Sequence, residues 1–143
     1  DNAPTYALSI RDIASLYCKL IKKDDEYLKA VSELMVDKNE YVASKNTFDY
    51  KFTEVMNGNG IAKTGRNGLQ TIGLKTDSNQ FIWIAVKVIS GDSRAAASMT
   101  LEILSHLKMI NESKLEKLQD YYQPVDKKQS NKKLVYLESE IIS

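Results

Sequence analysis

From Ser9 onward the apolar residues Ile10, Ile13, Leu16, Leu20 and Ile21 recur at the helical period, and the Ser9 hydroxyl stands where it can accept from the backbone N–H of Asp12. A helix to about Lys22 is expected, with acidic Asp12 at the positive end of its dipole. Asp24-Asp25 opens a second helix, and Tyr27, Val31 and Leu34 carry it to about Met35, so the pair forms a hairpin around Lys22-Lys23. Between Val36 and Asn59 the periodicity fades. Most of that segment reads as loop, with a short strand expected at residues 40–43 and a weak one where Phe48, Tyr50 and Phe52 alternate.

The pattern then changes to strands. Asn57-Gly58-Asn59-Gly60 is turn chemistry, because glycine and asparagine tolerate positive φ. Residues 60–66 read as a strand, 69–76 as its antiparallel partner, and Asp77-Ser78-Asn79 as the following turn. Residues 81–89, Phe-Ile-Trp-Ile-Ala-Val-Lys-Val-Ile, have almost no polar break and are rich in β-branched and aromatic side chains, which marks them as the central strand with Phe81 and Trp83 in the core. Ser90-Gly91-Asp92-Ser93 ends that strand and caps a helix running to about Met109, whose Ala95, Met99, Leu101, Ile103, Leu104, Leu107 and Ile110 make a broad apolar face against the sheet. A short charged helix is expected around residues 114–122, ending at Pro124, then a solvated linker at 126–133 and a last strand at 134–137. The fold class is α/β of the α+β type: a three-stranded or larger antiparallel sheet covered by helices.

A length of 143 residues suits one domain with a single core. With 20 basic against 19 acidic side chains and a net charge of +1, no global field draws the chain to nucleic acid. One cysteine, Cys18, excludes an intrachain disulfide and a cysteine metal cluster, and one histidine, His106, excludes multi-histidine metal sites. No metal or cofactor is therefore expected. Cys18 reads as a small buried hydrophobe and His106 as a packed or surface histidine rather than a base. There is no apolar run of about 18 residues to span a membrane. Asp1-Asn2-Ala3-Pro4 has none of the charged-then-apolar character of a signal peptide, and the lysines of 127–133 lack an amphipathic partner face, so a solvated tail is favoured over membrane contact.

The one chemically specialised stretch is Lys63-Thr64-Gly65, followed by Arg66. On a sheet edge the lysine offers a fixed cation for a carboxylate, the threonine hydroxyl a donor, and the glycine room for a ligand backbone alongside. The Arg66 N–H could add one oxyanion donor. Taken alone, the triplet reads more economically as a solvated Lys-Thr before a turn glycine.

The order of elements around it resembles the C-terminal half of the serine D-alanyl-D-alanine carboxypeptidases, the low-molecular-mass penicillin-binding proteins. Tyr6-Ala7-Leu8-Ser9-Ile10-Arg11-Asp12-Ile13-Ala14 resembles the helix that follows that family's Ser-x-Asn box, Gly60 to Gly65 its Asp-Gly-Ile-Lys-Thr-Gly box, and the strand beginning at Phe81 with Ser90-Gly91-Asp92-Ser93-Arg94-Ala95 its last strand and helix. Ala62 between Ile61 and Lys63, and Arg66-Asn67 after the triplet, depart from the pattern; a one-residue slip would turn Lys63 to the other face. The resemblance implies a partial penicillin-binding transpeptidase or β-lactamase-like fold over 1–110, with 111–143 a charged helix, linker and tail. It implies a substrate-binding wall of Lys63, Thr64, Gly65 and Arg66 for peptidoglycan stem peptides or β-lactams, and a cell-envelope or periplasmic location. No Ser-x-x-Lys or Ser-x-Asn box is present, so it also implies no catalytic residue here and an inactive chain. A non-catalytic peptide- or protein-binding module, able to self-associate through an open sheet edge, is the alternative.

Overall fold

The computed structural model describes residue 4 and residues 6–122. Helices α1 (Ile10–Lys22), α2 (Glu26–Asp37), α3 (Asn39–Val42) and α4 (Phe48–Met56) lead into strands β1 (Gly60–Gly65), β2 (Leu69–Lys75) and β3 (Phe81–Lys87), and then into α5 (Ser93–His106), α6 (Glu112–Lys117) and α7 (Gln119–Tyr122). The strands form one antiparallel sheet in the order β1-β2-β3. This is the expected α+β architecture, a three-stranded antiparallel sheet packed against helices.

Local chemistry sets most helix ends. Ser9 and Asp12 form a capping box, with Asp12 N donating to Ser9 Oγ at 3.1 Å and Ser9 N to Asp12 Oδ2 at 3.3 Å. Asp25, Thr47, Asp92 and Asn111 each accept a backbone N–H at the start of α2, α4, α5 and α6. Lys23 and Asn57 close α1 and α4 in the left-handed conformation, which satisfies the last carbonyls.

Strand register places the two faces. Ile61, Gly73 and Trp83 stand in one row across the sheet and Ala62, Ile72 and Ile84 in the next, so the rows point to opposite sides. Helix α1 lies on the first side. It approaches so closely that a Cβ on Gly73 would sit 2.8 Å from the Tyr17 carbonyl oxygen. Helices α4 and α5 cover the second side, where Phe48, Phe52, Met56, Leu101 and Leu104 cluster with Ala62, Ile72 and Leu74. Leu118, between α6 and α7, is fully buried in the same cluster. The turn after β2 is tied to α6 by Asp77, which accepts from Lys114 Nζ at 2.7 Å and Asn111 Nδ2 at 2.9 Å; these bonds hold its carboxyl below the ordinary carboxylate range.

Several expectations change. Residues 40–43 and the alternating Phe48-Tyr50-Phe52 are helical, in α3 and α4. Phe48, Asp49, Phe52, Thr53 and Met56 are the buried positions of α4, a helical repeat that the aromatic alternation disguises. The apolar strand β3 lies at an edge, and β2 is central. Its unbroken hydrophobicity reflects cover on both faces, by α1 and by α5, rather than a neighbour on each side. Phe81 is half-buried and Trp83 is 41% exposed, with Lys22 Nζ 5.4 Å from the Trp83 ring. Ile10, Leu16, Tyr27, Val31 and Leu34 of the predicted stripes are exposed and Cys18 is only partly buried, whereas His106 is at the surface, one of its two expected placements. The linker at 126–133 and the strand at 134–137 lie outside the described residues. Among the described residues no helix is long and apolar enough to cross a membrane, and no cluster of three or more metal-ligating side chains occurs.

Candidate functional site

The Lys-Thr-Gly segment occupies the last half of β1, at the free edge of the sheet. Lys63 pairs with Thr71, Thr64 with Gln70 and Gly65 with Leu69. Thr64 therefore points to the α4 side, with Ala62, whereas Lys63 leaves the strand on the α1 side. Arg66, Asn67 and Gly68 make the hairpin turn, and Asn67 and Gly68 both have positive φ. Gly68 is obligatory there: besides its φ of +72°, an added Cβ would meet the Gly91 backbone at 2.9 Å.

Under β1 sits a buried polar cluster that the sequence pattern did not reveal. Asp49, on the first turn of α4, is 3% exposed, and Gln70, on β2, is 1% exposed. The Thr64 N–H donates to Asp49 Oδ2 at 2.7 Å, and Gln70 Nε2 donates to Asp49 Oδ1 at 3.0 Å. The Thr64 hydroxyl lies 2.9 Å from both Asp49 Oδ1 and Gln70 Oε1. A hydroxyl has one proton, so it serves these acceptors one at a time, and in either case it is directed inward. Lys63 Nζ completes the cluster, 3.6 Å from Asp49 Oδ2, and donates to the Thr64 carbonyl at 3.2 Å. A buried carboxylate is costly unless its charge and lone pairs are matched, and here both oxygens are. Tyr17 feels the same charge: burial first, and the Asp49 carboxylate second, push its phenol up to about 12.

A cleft of about 680 Å³ opens beside this cluster. One wall is Lys63, Thr64, Gly65 and Arg66; the segment from Val42 to Asp49 forms another, and Ser93, Arg94 and Ala97 of α5 with Tyr121 close the far side. All four residues singled out in the triplet and its successor thus line one cavity. Its volume falls in the range of small-molecule sites, roughly 300–1,000 Å³. Lys63, Arg66 and Arg94 bring positive charge to it, and the one lining carboxylate, Asp49, is engaged by Thr64, Gln70 and Lys63. Arg94 also contacts Asp92 at 3.4 Å at the start of α5. Such a lining presents positive charge to an anionic group.

The chain belongs to the L-asparaginase II family, whose sequence profile matches residues 2–138. No curated protein sequence matches the chain. The match corrects the resemblance to the D-alanyl-D-alanine carboxypeptidases, and with it the assignment to penicillin-binding proteins, the peptidoglycan stem peptide and β-lactam as ligands, and the binding module derived from that group. The resemblance rested on three short stretches, residues 6–14, 60–65 and 90–95, and on an order of helices and strands. A lysine, a small hydroxyl residue and a glycine at an open sheet edge are favourable for carboxylate binding in general, so they do not separate peptide ligands from free amino acids.

Asp49 and Gln70 were not among the expected site residues. The signals for α4 were present in Thr47 as a cap and in Phe48, Phe52 and Met56 at helical spacing. Nothing in the sequence pairs Asp49 with Gln70, because that contact exists only once α4 has packed on the sheet.

Proposed function

We propose that the cleft beside β1 holds L-asparagine during hydrolysis of its side-chain amide, which with one water yields L-aspartate and ammonia. Family membership supports the reaction class, and the observation that carries the site is the convergence of Lys63, Arg66 and Arg94 on one open cleft. In this reading Lys63 and Arg66 hold the carboxylate, with a guanidinium able to bind it through two N–H groups. Gly65 leaves space for the ligand beside the strand. Thr64 supports the wall from behind, since its hydroxyl and its N–H are turned toward Asp49 and Gln70 and its carbonyl accepts from Lys63.

Titration of the isotope-labelled protein with L-asparagine and L-aspartate tests the placement. Saturable shifts of the Thr64, Gly65 and Arg66 amide signals are expected, together with ammonia release from L-asparagine that falls at least about tenfold, some 1.4 kcal/mol of lost stabilisation, in Lys63→Met. Absence of binding, or binding signals confined to other faces, would remove the cleft from the reaction.

A further inference from the structure

We infer that Asp49 is a positioning residue that draws the Lys63 ammonium around the open edge of the sheet and into the ligand cleft; this rests on the cleft being the L-asparagine site. The side-chain alternation of β1 puts Lys63 on the α1 face, in one row with Thr71 and Ala85, while the cleft opens on the α4 face with Thr64, Phe48 and Ala97. An unguided lysine at this register would extend over α1 or into solvent. Its ammonium instead lies 3.6 Å from Asp49 Oδ2 and donates to the Thr64 carbonyl, and it lines the cleft. Among the described residues no strand flanks β1 on that side, so the four-carbon stem can cross the edge.

Asp49 is suited to the task because it is buried and held by hydrogen bonds on both oxygens. Its side chain is 4% exposed, whereas that of Lys63 is 44% exposed, so the fixed partner is the acid and the movable one the lysine. Thr64 N–H and Gln70 Nε2 each hold one of its two oxygens. Among the described residues that line the cleft, the charged groups besides Lys63 are Asp49 on α4 and the cations Arg66 and Arg94, and Lys63 pairs with Asp49. Asp49→Asn should therefore release Lys63 while keeping one oxygen under the Thr64 N–H; its NH2 then faces Gln70, whose amide must reverse to present Oε1.

Two measurements separate this role from simple packing. In the wild-type protein, nuclear Overhauser contacts from the Lys63 ε-methylene protons are expected to the Asp49 β-methylene; contacts to Thr71 and Ala85 in their place overturn the inference without any variant. Calorimetric titration with L-aspartate then compares wild type, Lys63→Met, Asp49→Asn and the double variant. Asp49→Asn is expected to weaken binding about tenfold on its own and by less than about twofold when Lys63 is already Met, the non-additivity that marks one residue acting through another. Equal losses from Asp49→Asn in both backgrounds would mean that it acts through the fold and not through Lys63. If wild type binds no L-aspartate while the Overhauser contacts reach Asp49, the functional reading fails and the placement of Lys63 stands.

Discussion

Tyr17 gives the most direct residue-scale consequence of the buried carboxylate. Its ordinary pKa of 10 rises to about 12 in the folded protein, through burial and then through Asp49. Between these values the unfolded chain has lost a phenolic proton that the folded chain keeps, so the folded state binds more protons and stability falls as pH rises. The loss is complete above the folded value and absent below pH 10, and amounts to about 3 kcal/mol. Urea unfolding between pH 9 and pH 12, comparing wild type with Tyr17→Phe, checks it. The wild type should lose stability relative to the variant across that window, and parallel profiles would contradict the assignment. The residue scale also sets the limit on the motif: Lys63, Thr64, Gly65 and Arg66 were legible as chemistry, but the direction of the Lys63 side chain was not. Direction depends on the α4 carboxylate, fourteen positions earlier in the chain by the numbering of Asp49 and Lys63.

At the scale of elements, helices with both a cap and a clear apolar repeat were found close to their bounds, as α1 was from Ser9 to Lys22. Helix α4 was missed because aromatic residues at alternate positions imitate a strand, and tertiary burial of Phe48, Phe52 and Met56 decided between the two periods. Strand β2 shows the complementary effect. Gln70, Thr71 and Gly73 make it much less apolar in sequence than β3, yet it is central, with Gln70 and Thr71 buried. Gly73 is where α1 crosses the sheet. Gly73→Ala would drive a methyl against the Tyr17 carbonyl and the Ile21 side chain, so α1 must shift, at a cost of about 1–3 kcal/mol. A thermal melt lowered by several degrees is expected, with Gly58→Ala as a comparison at a site free of steric neighbours but of positive φ.

For the whole molecule, the sheet is covered by α1 on one side and by α4 and α5 on the other, and α6 and α7 complete the second layer through Leu118. Leu118→Ala should cost about 2–5 kcal/mol, as expected for a fully buried leucine whose cavity cannot collapse freely. Denaturant unfolding that leaves the midpoint unchanged would mean that α6 and α7 do not belong to the cooperative core. Hydrophobic period, caps and turn residues act over a few positions, so the sequence by itself determined the α+β class, the three strands, the helix starts at Ser9 and Asp92, and the triplet that lines the cleft. Tertiary structure alone decided that β2 is central, that α4 is a helix, and that Asp49 and Gln70 lie beneath Thr64. Those outcomes depend on which face another element covers and on charges brought together across the sheet, and these energies do not exist until the chain has folded.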